Sequence, residues 1–206
     1  MKYDLHVHSI YSKDSFLRPE TILKVAKKKG LDGVAITDHN TIKGAVAAQK
    51  INKDRTFAVI TGAEIKTEYG DVIGVFLQEE IRSRLFIEVV EEIKRQGGYT
   101  ILAHPYRQYG NPEALIGKVD MVEAFNARSK RTDNLRSRSL ALNNNKPFTA
   151  GSDAHLWFEV GRGVICVDGD LKDSSSSRKI AGKASNYYFV HGLSVTMEQI
   201  KKLSHY

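Results

Sequence analysis

The chain has 206 residues, of which 41% are hydrophobic and 27% charged, a composition that excludes a disordered chain and predicts a globular protein. No apolar run approaches the ~20 residues of a transmembrane helix, so we expect no membrane-spanning helix and no membrane partner. The formal net charge of +7 suits an anionic substrate, with phosphate the commonest, although many proteins merely have basic surfaces.

The cysteine content and the first residues predict the cellular location. Cys166 is the only cysteine, so no internal disulfide can form, as is typical of a reducing compartment. It lies in the apolar run 163–167, where we expect it to be buried. Residues 1–4 contain no apolar signal region. We therefore expect a cytoplasmic protein.

Strand-like and helix-like segments alternate along the chain. Pro19 near the start of one helical segment and Gly30 just beyond its end are typical helix boundaries. In chain order, the predicted elements are a strand over 3–7, a helix over 19–29, a strand over 33–37, a helix over 41–51, strands over 57–65 and 71–77, a helix over 81–96, strands over 99–103 and 119–125, a helix over 130–143, strands over 148–151, 163–167 and 187–190, and a helix from residue 197.

This alternation favours a parallel sheet with helical crossovers. A closed or nearly closed β/α barrel is the first choice, and an open doubly wound sheet is the second. The sequence contains no internal repeat and no linker-like stretch, so we expect a single domain over residues 1–206. The serine run 174–177 is predicted to be a surface loop or the start of a helix.

Side chains that can bind metals recur at the ends of the predicted strands. In a β/α barrel the carboxyl ends of the strands meet on one face, so these side chains would form one polar basin. His6 and His8 are two residues apart on a strand and point to the same side, and Asp153 and His155 repeat this spacing. The other candidates at strand ends are Asp38 with His39, Glu64, and His104.

The donor atoms of this set are imidazole nitrogens and carboxylate oxygens, which Zn, Mn or Fe accept together. No cysteine belongs to the set, which excludes a structural zinc–cysteine site. A water molecule between two such ions becomes a hydroxide nucleophile near neutral pH, and the same ions bind phosphate oxygens. The sequence has no P-loop, no dinucleotide-binding glycine motif after the first strand and no nucleophile elbow. The pattern therefore predicts metal-dependent hydrolysis of a phosphate ester.

Four separated motifs resemble those of the PHP family, the polymerase and histidinol phosphatase domain. They are DLHVHS at 4–9, AITDH at 35–39, LAHP at 102–105 and GSDAH at 151–155, and GAEI at 62–65 also fits. Their order and spacing agree from the first residue to about residue 160. The resemblance implies an α/β fold that is a distorted, TIM-barrel-like (β/α)7 barrel. It also implies two or three divalent metal ions and phosphoesterase activity.

The resemblance further implies how the ligands are shared: His6, His8, Glu64 and Asp153 on one metal, Glu64 and His104 on a second, and Asp14, His39 and His155 on a third. Glu64 would bridge the first two metals. Taken alone, Asp14 would be interpreted as a turn residue. Many relatives supply a further histidine to the second metal, but residues 69–74 contain none. Asp71 could replace it as an oxygen ligand, or could simply be a hairpin-turn residue.

Arginines are candidates for contact with a substrate phosphate, because a guanidinium group binds phosphate through two hydrogen bonds. Arg107 and Arg128 each follow a predicted strand on the ligand side, and Arg162 is a weaker candidate. Each could equally be a surface charge. His191 is interpreted as a structural histidine, and His205 as part of a disordered end.

Four functions fit this pattern. The leading hypothesis is a phosphoesterase whose partner is a phosphorylated small molecule or a nucleotide. The alternative is a PHP-type nuclease acting on DNA or RNA ends, which draws on the +7 charge and on the basic residues Lys130, Arg131, Arg136 and Arg138. Against it, no aromatic-and-basic stripe for single strands is present. A metal-stabilised scaffold and a metal amidohydrolase rank lower, the latter because no lysine stands out as its carbamylated ligand. Substrate identity, the shape of the loops at 106–111 and 156–159, and the oligomeric state do not follow from the sequence.

Overall fold

The computed structural model describes residues 1–107, 111–173 and 175–204. The strands are β1 (Lys2–Val7), β2 (Gly33–Ile36), β3 (Ala58–Lys66), β4 (Asp71–Val75), β5 (Tyr99–Leu102), β6 (Met121–Asn126), β7 (Phe148–Gly151), β8 (Gly163–Asp168) and β9 (Ser177–Gly182). The helices are α1 (Pro19–Lys28), α2 (Lys43–Ile51), α3 (Phe86–Arg95), α4 (Pro112–Leu115), α5 (Arg131–Asn143) and α6 (Tyr187–Ser204). None of these helices is both long enough and apolar enough to cross a membrane.

The nine strands described form one sheet in the order β7-β6-β5-β4-β3-β2-β1-β8-β9. Strands are parallel in the pairs β1–β2, β2–β3, β5–β6 and β6–β7. The strand β4 is antiparallel to β3 and β5, and β8 is antiparallel to β1 and β9. The sheet is therefore mixed, and the prediction of a parallel sheet is corrected. Only residues 67–70 join β3 to β4, too few for the crossover of about a dozen residues that parallel strands require.

The sheet curls until the ends of its first and seventh strands meet, which nearly closes it into a barrel. The Asp153 N–H donates to the His6 carbonyl at 2.7 Å, and the His8 N–H donates to the Ala154 carbonyl at 2.9 Å. At its other end β1 pairs with β8 instead. The predicted α/β, TIM-barrel-like fold is thus confirmed. Its near closure brings residues that follow β7 next to residues at the end of β1.

Helix α3 packs on the two strands that carry Glu64 and Asp71. Its buried residues Phe86, Val89 and Ile93 repeat at helical spacing and form one apolar face. That face packs on buried apolar side chains of β3 and β4, which are Ala63, Ile65 and Val72. Burial of this apolar surface stabilises the scaffold beneath the strand ends.

The end of the chain differs from the prediction. Residues 187–190, predicted as a strand, form the first turn of α6, where the Phe189 N–H donates to Asn186 Oδ1 at 3.1 Å. Such a cap satisfies a free N–H of the first turn and outweighs the strand preference of the aromatic residues. The sequence pattern does not predict β9, because its residues are mostly exposed and lack an apolar face. Its six residues all pair with β8.

Two smaller predictions are also corrected. The helix predicted over 81–96 begins only at Phe86, because the Glu92 carboxylate accepts the N–H groups of Arg82 and Ser83 and holds this segment in a loop. Cys166 is half-buried, not fully buried. Several features named from the sequence lie outside the described residues, namely residues 108–110 of the loop at 106–111, Ser174 of the serine run, and His205.

Candidate metal centre

All nine residues predicted as metal ligands lie at one end of the barrel. By element they are His6 in β1, His8 and Asp14 after it, His39 after β2, Glu64 in β3, Asp71 in β4, His104 after β5, and Asp153 and His155 after β7. Seven of them line one open pocket, while His6 and His8 are fully buried behind these side chains. Asp71 is the first residue of an antiparallel strand, so it lies at the same end as the last residues of the neighbouring strands.

The ligand atoms form four overlapping groups, in each of which all the atoms lie within 4.8 Å of one another. The groups are His6 with His8 and Glu64; His6 with His104 and Asp153; Glu64 with Asp71 and His104; and His8 with Asp14, His39 and His155. Two ligands of one ion lie roughly 3–3.5 Å apart when each metal–ligand bond is about 2.1 Å. The spacing of these side chains therefore suits coordination of divalent ions.

Neighbouring side chains orient His6 and His8 so that their Nε2 atoms face each other at 3.0 Å. The Glu123 carboxylate accepts a hydrogen bond from His6 Nδ1 at 3.0 Å. Ser12 Oγ donates its only proton to Asp38, so it accepts from His8 Nδ1 at 3.0 Å. Both histidines therefore direct Nε2 at the same space, and only a proton or a metal ion between the two nitrogens satisfies both.

The surrounding carboxylates favour a positive charge at this position. Burial alone would lower the pKa of His6, but Asp153, Glu123 and Glu64 together hold it well above its usual range. By contrast, burial and two neighbouring histidines lower the pKa of His8 to about 3, so its imidazole stays neutral. A protonated His6 thus occupies a place where a divalent cation would be stabilised.

Asp14 lies between His39 and His155, which belong to the same group as His8. Its Oδ2 atom is 3.0 Å from His155 Nε2 and 3.5 Å from His39 Nε2. The Nδ1 atom of His155 donates to the Asp153 carbonyl at 2.8 Å, which leaves Nε2 directed at Asp14. The buried Oδ1 atom of Asp14 has no hydrogen-bond partner among the described residues. A buried carboxylate oxygen without a partner, beside several imidazoles, fits a metal-ligand position.

Glu64 reaches two of the groups at once. Its Oε1 atom is 2.8 Å from His104 Nε2, while Oε2 is 3.3 Å from His8 Nε2 and 3.1 Å from His39 Nδ1. Asp71 Oδ2 lies 4.0 Å from His104 Nε2. Within the part of the chain described, the buried Nδ1 atom of His104 has no hydrogen-bond partner. The two oxygens of Glu64 therefore have the positions expected of a bridging carboxylate.

Two of these residues have a strained backbone. His104 has a φ of 27° and Asp153 a φ of 54°, in the left-handed region that non-glycine residues rarely adopt. The described chain has no cis peptide bond, so the bond between His104 and Pro105 is trans. Strain of this kind clusters at functional sites, where the surrounding structure enforces it.

Glu123 and Asn126 support the site and are absent from the sequence prediction. Besides bonding His6, Glu123 accepts the His104 N–H at 2.9 Å and the Asn126 side-chain amide at 3.1 Å. One buried carboxylate therefore orients residues from two strands. In the sequence, Glu123 is a charged residue inside the apolar run 119–125. This position indicates that its carboxylate is buried with a polar partner, but it does not identify the partner.

The two arginines predicted to contact phosphate line the pocket, but both already have protein partners. Arg107 Nη1 donates to Asp153 Oδ2 at 2.7 Å, within the candidate ligand cluster, while Nη2 donates to Asn126 Oδ1 and Nε donates to Ser129 Oγ at 3.3 Å. Arg128 donates to Glu159 from Nε at 2.9 Å and from Nη2 at 2.7 Å, and to Ser194 from Nη1 at 2.7 Å. Every side-chain nitrogen of both arginines is therefore engaged. The guanidinium partners of Arg128 are not candidate ligands and its side chain is only 2% exposed, so the geometry favours a structural role for this residue.

Other cationic side chains divide between the pocket and the outer surface. Arg162 does not line the pocket and donates to the Ala184 carbonyl at 2.9 Å. His191 lines it, and its Nε2 atom donates to the Arg128 carbonyl at 3.2 Å, in agreement with a structural interpretation. Lys13 and Lys66 line the pocket but were not among the predicted residues. The basic residues at and near α5 are exposed and outside the described pocket lining, and are Lys130, Arg131, Arg136 and Arg138.

Comparison with known families and proteins agrees with the motifs. The family model of the PHP domain matches residues 4–174. An uncharacterised protein of Methanocaldococcus jannaschii is 46% identical over 143 residues, which cover 62% of this chain and 82% of that protein. A 5'-3' exoribonuclease of Haemophilus influenzae is 40% identical over 68 residues, which cover 33% of this chain and 24% of that enzyme.

Solved structures have a similar fold. One is a two-domain protein of Bacteroides vulgatus containing a predicted PHP-like metal-dependent phosphoesterase, with a TM-score of 0.69 at 19% identity; 81% of this chain matches 58% of that protein. Another is an amidohydrolase of Chromobacterium violaceum, with a TM-score of 0.66 at 14% identity over 93% of this chain and 96% of that one. At these identities the likeness concerns the fold.

Proposed function

Since the chain belongs to the PHP domain family, we propose that it is a metal-dependent phosphoesterase that hydrolyses a small phosphomonoester or a nucleotide. The observation that carries the proposal is the convergence of histidines and carboxylates on one pocket, with His6 Nε2 only 3.0 Å from His8 Nε2. Divalent ions, when bound there, would activate a water molecule and stabilise the charge of the phosphate group.

In this proposal the site holds two or three ions, chosen from Zn, Mn or Fe. In the central position the ion would be held by His6, His8 and Glu64, together with Asp153, whose Oδ1 atom is 3.2 Å from His8 Nε2. The residues that would hold the other ions are Glu64, Asp71 and His104 on one side, and Asp14, His39 and His155 on the other. The mixture of imidazole and carboxylate donors is the set that such ions accept.

The protein itself keeps the ligands in position. Glu123 and Ser12 bind the Nδ1 atoms of His6 and His8, so both rings keep Nε2 directed at the central position. A partner on the second ring nitrogen fixes the tautomer and the orientation of a ligand histidine. The site is therefore organised before the substrate arrives.

Cationic side chains around the pocket favour an anionic substrate. Arg107 reaches the ligand cluster through its hydrogen bond to Asp153, and Lys13 and Lys66 line the pocket wall. Positive charge at a cleft raises the local concentration of phosphate compounds. Both predicted phosphate contacts are hydrogen-bonded within the protein, but of the two only Arg107 bonds a proposed metal ligand, Asp153. We therefore propose Arg107 as the residue that contacts the substrate, and Arg128 as a residue that supports the pocket wall.

The test is hydrolysis of a chromogenic phosphate ester before and after removal of metal. We expect a chelator to abolish the activity, and Mn or Zn to restore it. The variant Glu64→Gln should lose activity by more than about a hundredfold because it removes a charged ligand from two groups. The matched control is Asp54→Asn, which changes an acidic residue outside the pocket lining. Activity that survives exhaustive chelation would refute the proposal.

The second candidate is a nuclease that acts on the ends of DNA or RNA, and the similarity to the exoribonuclease favours it. The same metal ligands could act on a terminal phosphodiester, whereas the basic residues near α5 lie outside the described pocket lining. Competing hydrolysis of a mononucleotide and a 5'-phosphorylated oligonucleotide separates the two candidates. Preference for the oligonucleotide, with steep salt dependence of binding, would identify the nuclease.

A further inference from the structure

Two of the ligand groups differ in the chemistry of their donor atoms. The three-histidine group, His8, Asp14, His39 and His155, offers three imidazole nitrogens and one carboxylate. The carboxylate group, Glu64, Asp71 and His104, offers two carboxylates and one imidazole. These groups share no residue, so each can be changed without altering the ligands of the other.

The carboxylate group is built on the sheet. Asp71 is the first residue of β4, where its register partner is Lys66, and its carbonyl accepts the Ala103 N–H at 3.1 Å. Glu64 is in the neighbouring strand β3, and His104 follows β5. The Asp71 side chain is 13% exposed and lines the pocket. Its backbone is therefore held between two strands, unlike that of a typical hairpin-turn residue.

The charge of the carboxylate group also differs from that of its neighbour. Glu64 and Asp71 place two carboxylates in one group with a single imidazole, so their repulsion is relieved when a cation lies between them. The three-histidine group contains one carboxylate, Asp14, and Glu64 Oε2 also lies 3.1 Å from His39 Nδ1, so the difference between the two groups rests on Asp71 and on the number of imidazoles. Carboxylate oxygens suit harder ions such as manganese(II), whereas imidazole nitrogens suit zinc.

We propose that the pocket sorts metals by position, with zinc held by the three-histidine group and a harder ion such as manganese(II) held by the carboxylate group through Asp71. This inference rests on the proposed function only in assuming that the pocket binds divalent ions. Zinc generally binds a given site more tightly than manganese, so the sorting lies in the ratio of the two affinities. That ratio should be smaller at the carboxylate group.

The experiment measures bound metal. Metal-free protein is equilibrated with limiting zinc and a large excess of manganese, desalted, and assayed for both metals by mass spectrometry, with electron paramagnetic resonance for bound manganese. We expect Asp71→His to lower the ratio of bound manganese to zinc by about tenfold or more, because it replaces an oxygen donor with nitrogen. Asp71→Asn should lower bound manganese without a gain of zinc.

The matched control changes the other group. His155→Asn should lower bound zinc and leave bound manganese at the wild-type level. Circular dichroism and thermal melting of the metal-free proteins show whether each variant is folded, and Asp71→Asn serves as the conservative test should Asp71→His not fold. The change in bound metal between each variant and the wild-type protein reports on one group only, because metal bound at the central position is common to all the proteins.

Two results would overturn the inference. One is a wild-type ratio of manganese to zinc in both Asp71 variants, and the other is loss of manganese, not zinc, from His155→Asn. The experiments also distinguish failure of this inference from failure of the proposed function. Chelation that abolishes hydrolysis together with unchanged ratios refutes the sorting alone. Sorting of metals without hydrolysis of any phosphate ester refutes the proposed function alone.

Discussion

At the scale of single residues, one buried carboxylate connects two of the proposed ligands. Glu123 bonds the His6 ring at 3.0 Å and the His104 N–H at 2.9 Å, and its side chain is only 1% exposed. It stands in no predicted ligand motif. Its contribution is orientation and negative charge, both of which strengthen a histidine as a metal ligand.

Glu123→Gln should therefore weaken metal binding while the fold persists. The neutral amide keeps the shape but loses the charge that holds the His6 ring, so we expect roughly a 10–100-fold loss of metal affinity. Competition with a coloured chelator measures it. The matched control is Glu113→Gln, which changes a carboxylate bonded to the Tyr106 hydroxyl, away from the ligands. Wild-type affinity in Glu123→Gln would show that Glu123 has no such role.

Metal uptake at neutral pH should release protons. Carboxylates raise the pKa of His6, as described, and Glu64 and Asp14 raise that of His39 well above its usual range despite its burial. Both histidines are thus protonated in the metal-free protein at neutral pH, and a metal ion must displace those protons. Affinity should consequently rise with pH until the metal-free histidines lose their protons.

Calorimetric titration with metal in buffers of different ionisation enthalpy measures this release. The apparent binding enthalpy should depend on the buffer in the wild-type protein. His191→Asn, which changes a pocket histidine outside the ligand groups, should show the same dependence. An enthalpy that is identical in all buffers would contradict the assigned protonation of His6 and His39.

At the scale of elements, a buried ion pair joins three parts of the chain. Arg128 follows β6, Glu159 lies in the loop after β7, and Ser194 belongs to α6. Glu159 accepts two hydrogen bonds from Arg128 and also accepts the His155 N–H at 3.1 Å. The pair therefore positions the loop that carries His155 and the helix that forms one pocket wall.

Arg128→Met should destabilise the protein by about 3–5 kcal/mol, because it leaves the Glu159 carboxylate buried without its partner. Chemical denaturation at neutral pH measures the change in the free energy of unfolding. The matched control is Arg95→Met, which removes a surface pair with Glu79 whose contribution is below about 1 kcal/mol. Equal effects of the two substitutions would show that the buried pair has no special structural role.

The sequence predicts elements well where burial produces a strong apolar period. The strand that carries His6 and the helix α3 follow from such patterns, although Glu92 delays the start of the helix to Phe86. Prediction fails where a distant partner decides the structure. The polar strand β9 exists because β8 pairs with it, and the first turn of α6 forms because Asn186 caps it.

The sequence predicts the site residues that lie at strand ends. It does not predict the contacts that side chains make across strands. Histidines and carboxylates after strands could be predicted to converge, because the fold class dictates that convergence. The contact of Glu123 with His6, 117 residues apart, has no local signal. The same holds for Arg128, whose guanidinium group bonds Glu159, 31 residues away in sequence.

At the scale of the whole molecule, the proposed ligands connect strands that are far apart in sequence. The proposed ligands come from β1, β3 and β4 and from the segments after β1, β2, β5 and β7, at the point where the barrel nearly closes. Ions bound there would cross-link that closure. An ion that binds only the folded chain stabilises it in proportion to its occupancy.

Metal should accordingly raise the melting temperature of the whole protein. At a free metal concentration 100 times its dissociation constant, the expected stabilisation is about 2.7 kcal/mol per ion. Thermal unfolding with chelator, and then with added Mn or Zn, measures the shift. Glu64→Gln should lose most of it, whereas Asp54→Asn should keep it. Identical melting curves with and without metal would contradict this coupling.

The left-handed backbone lies at two of the proposed ligands, His104 and Asp153, where stability and the proposed activity would make opposite demands. A non-glycine residue in this region costs of order 1–3 kcal/mol, so the backbone term alone would favour glycine at both. Glycine, however, has no side chain to offer an imidazole or carboxylate donor to an ion. If His104 and Asp153 bind metal as proposed, selection for thermal stability of the metal-free chain would act against these residues, whereas selection for activity would retain them.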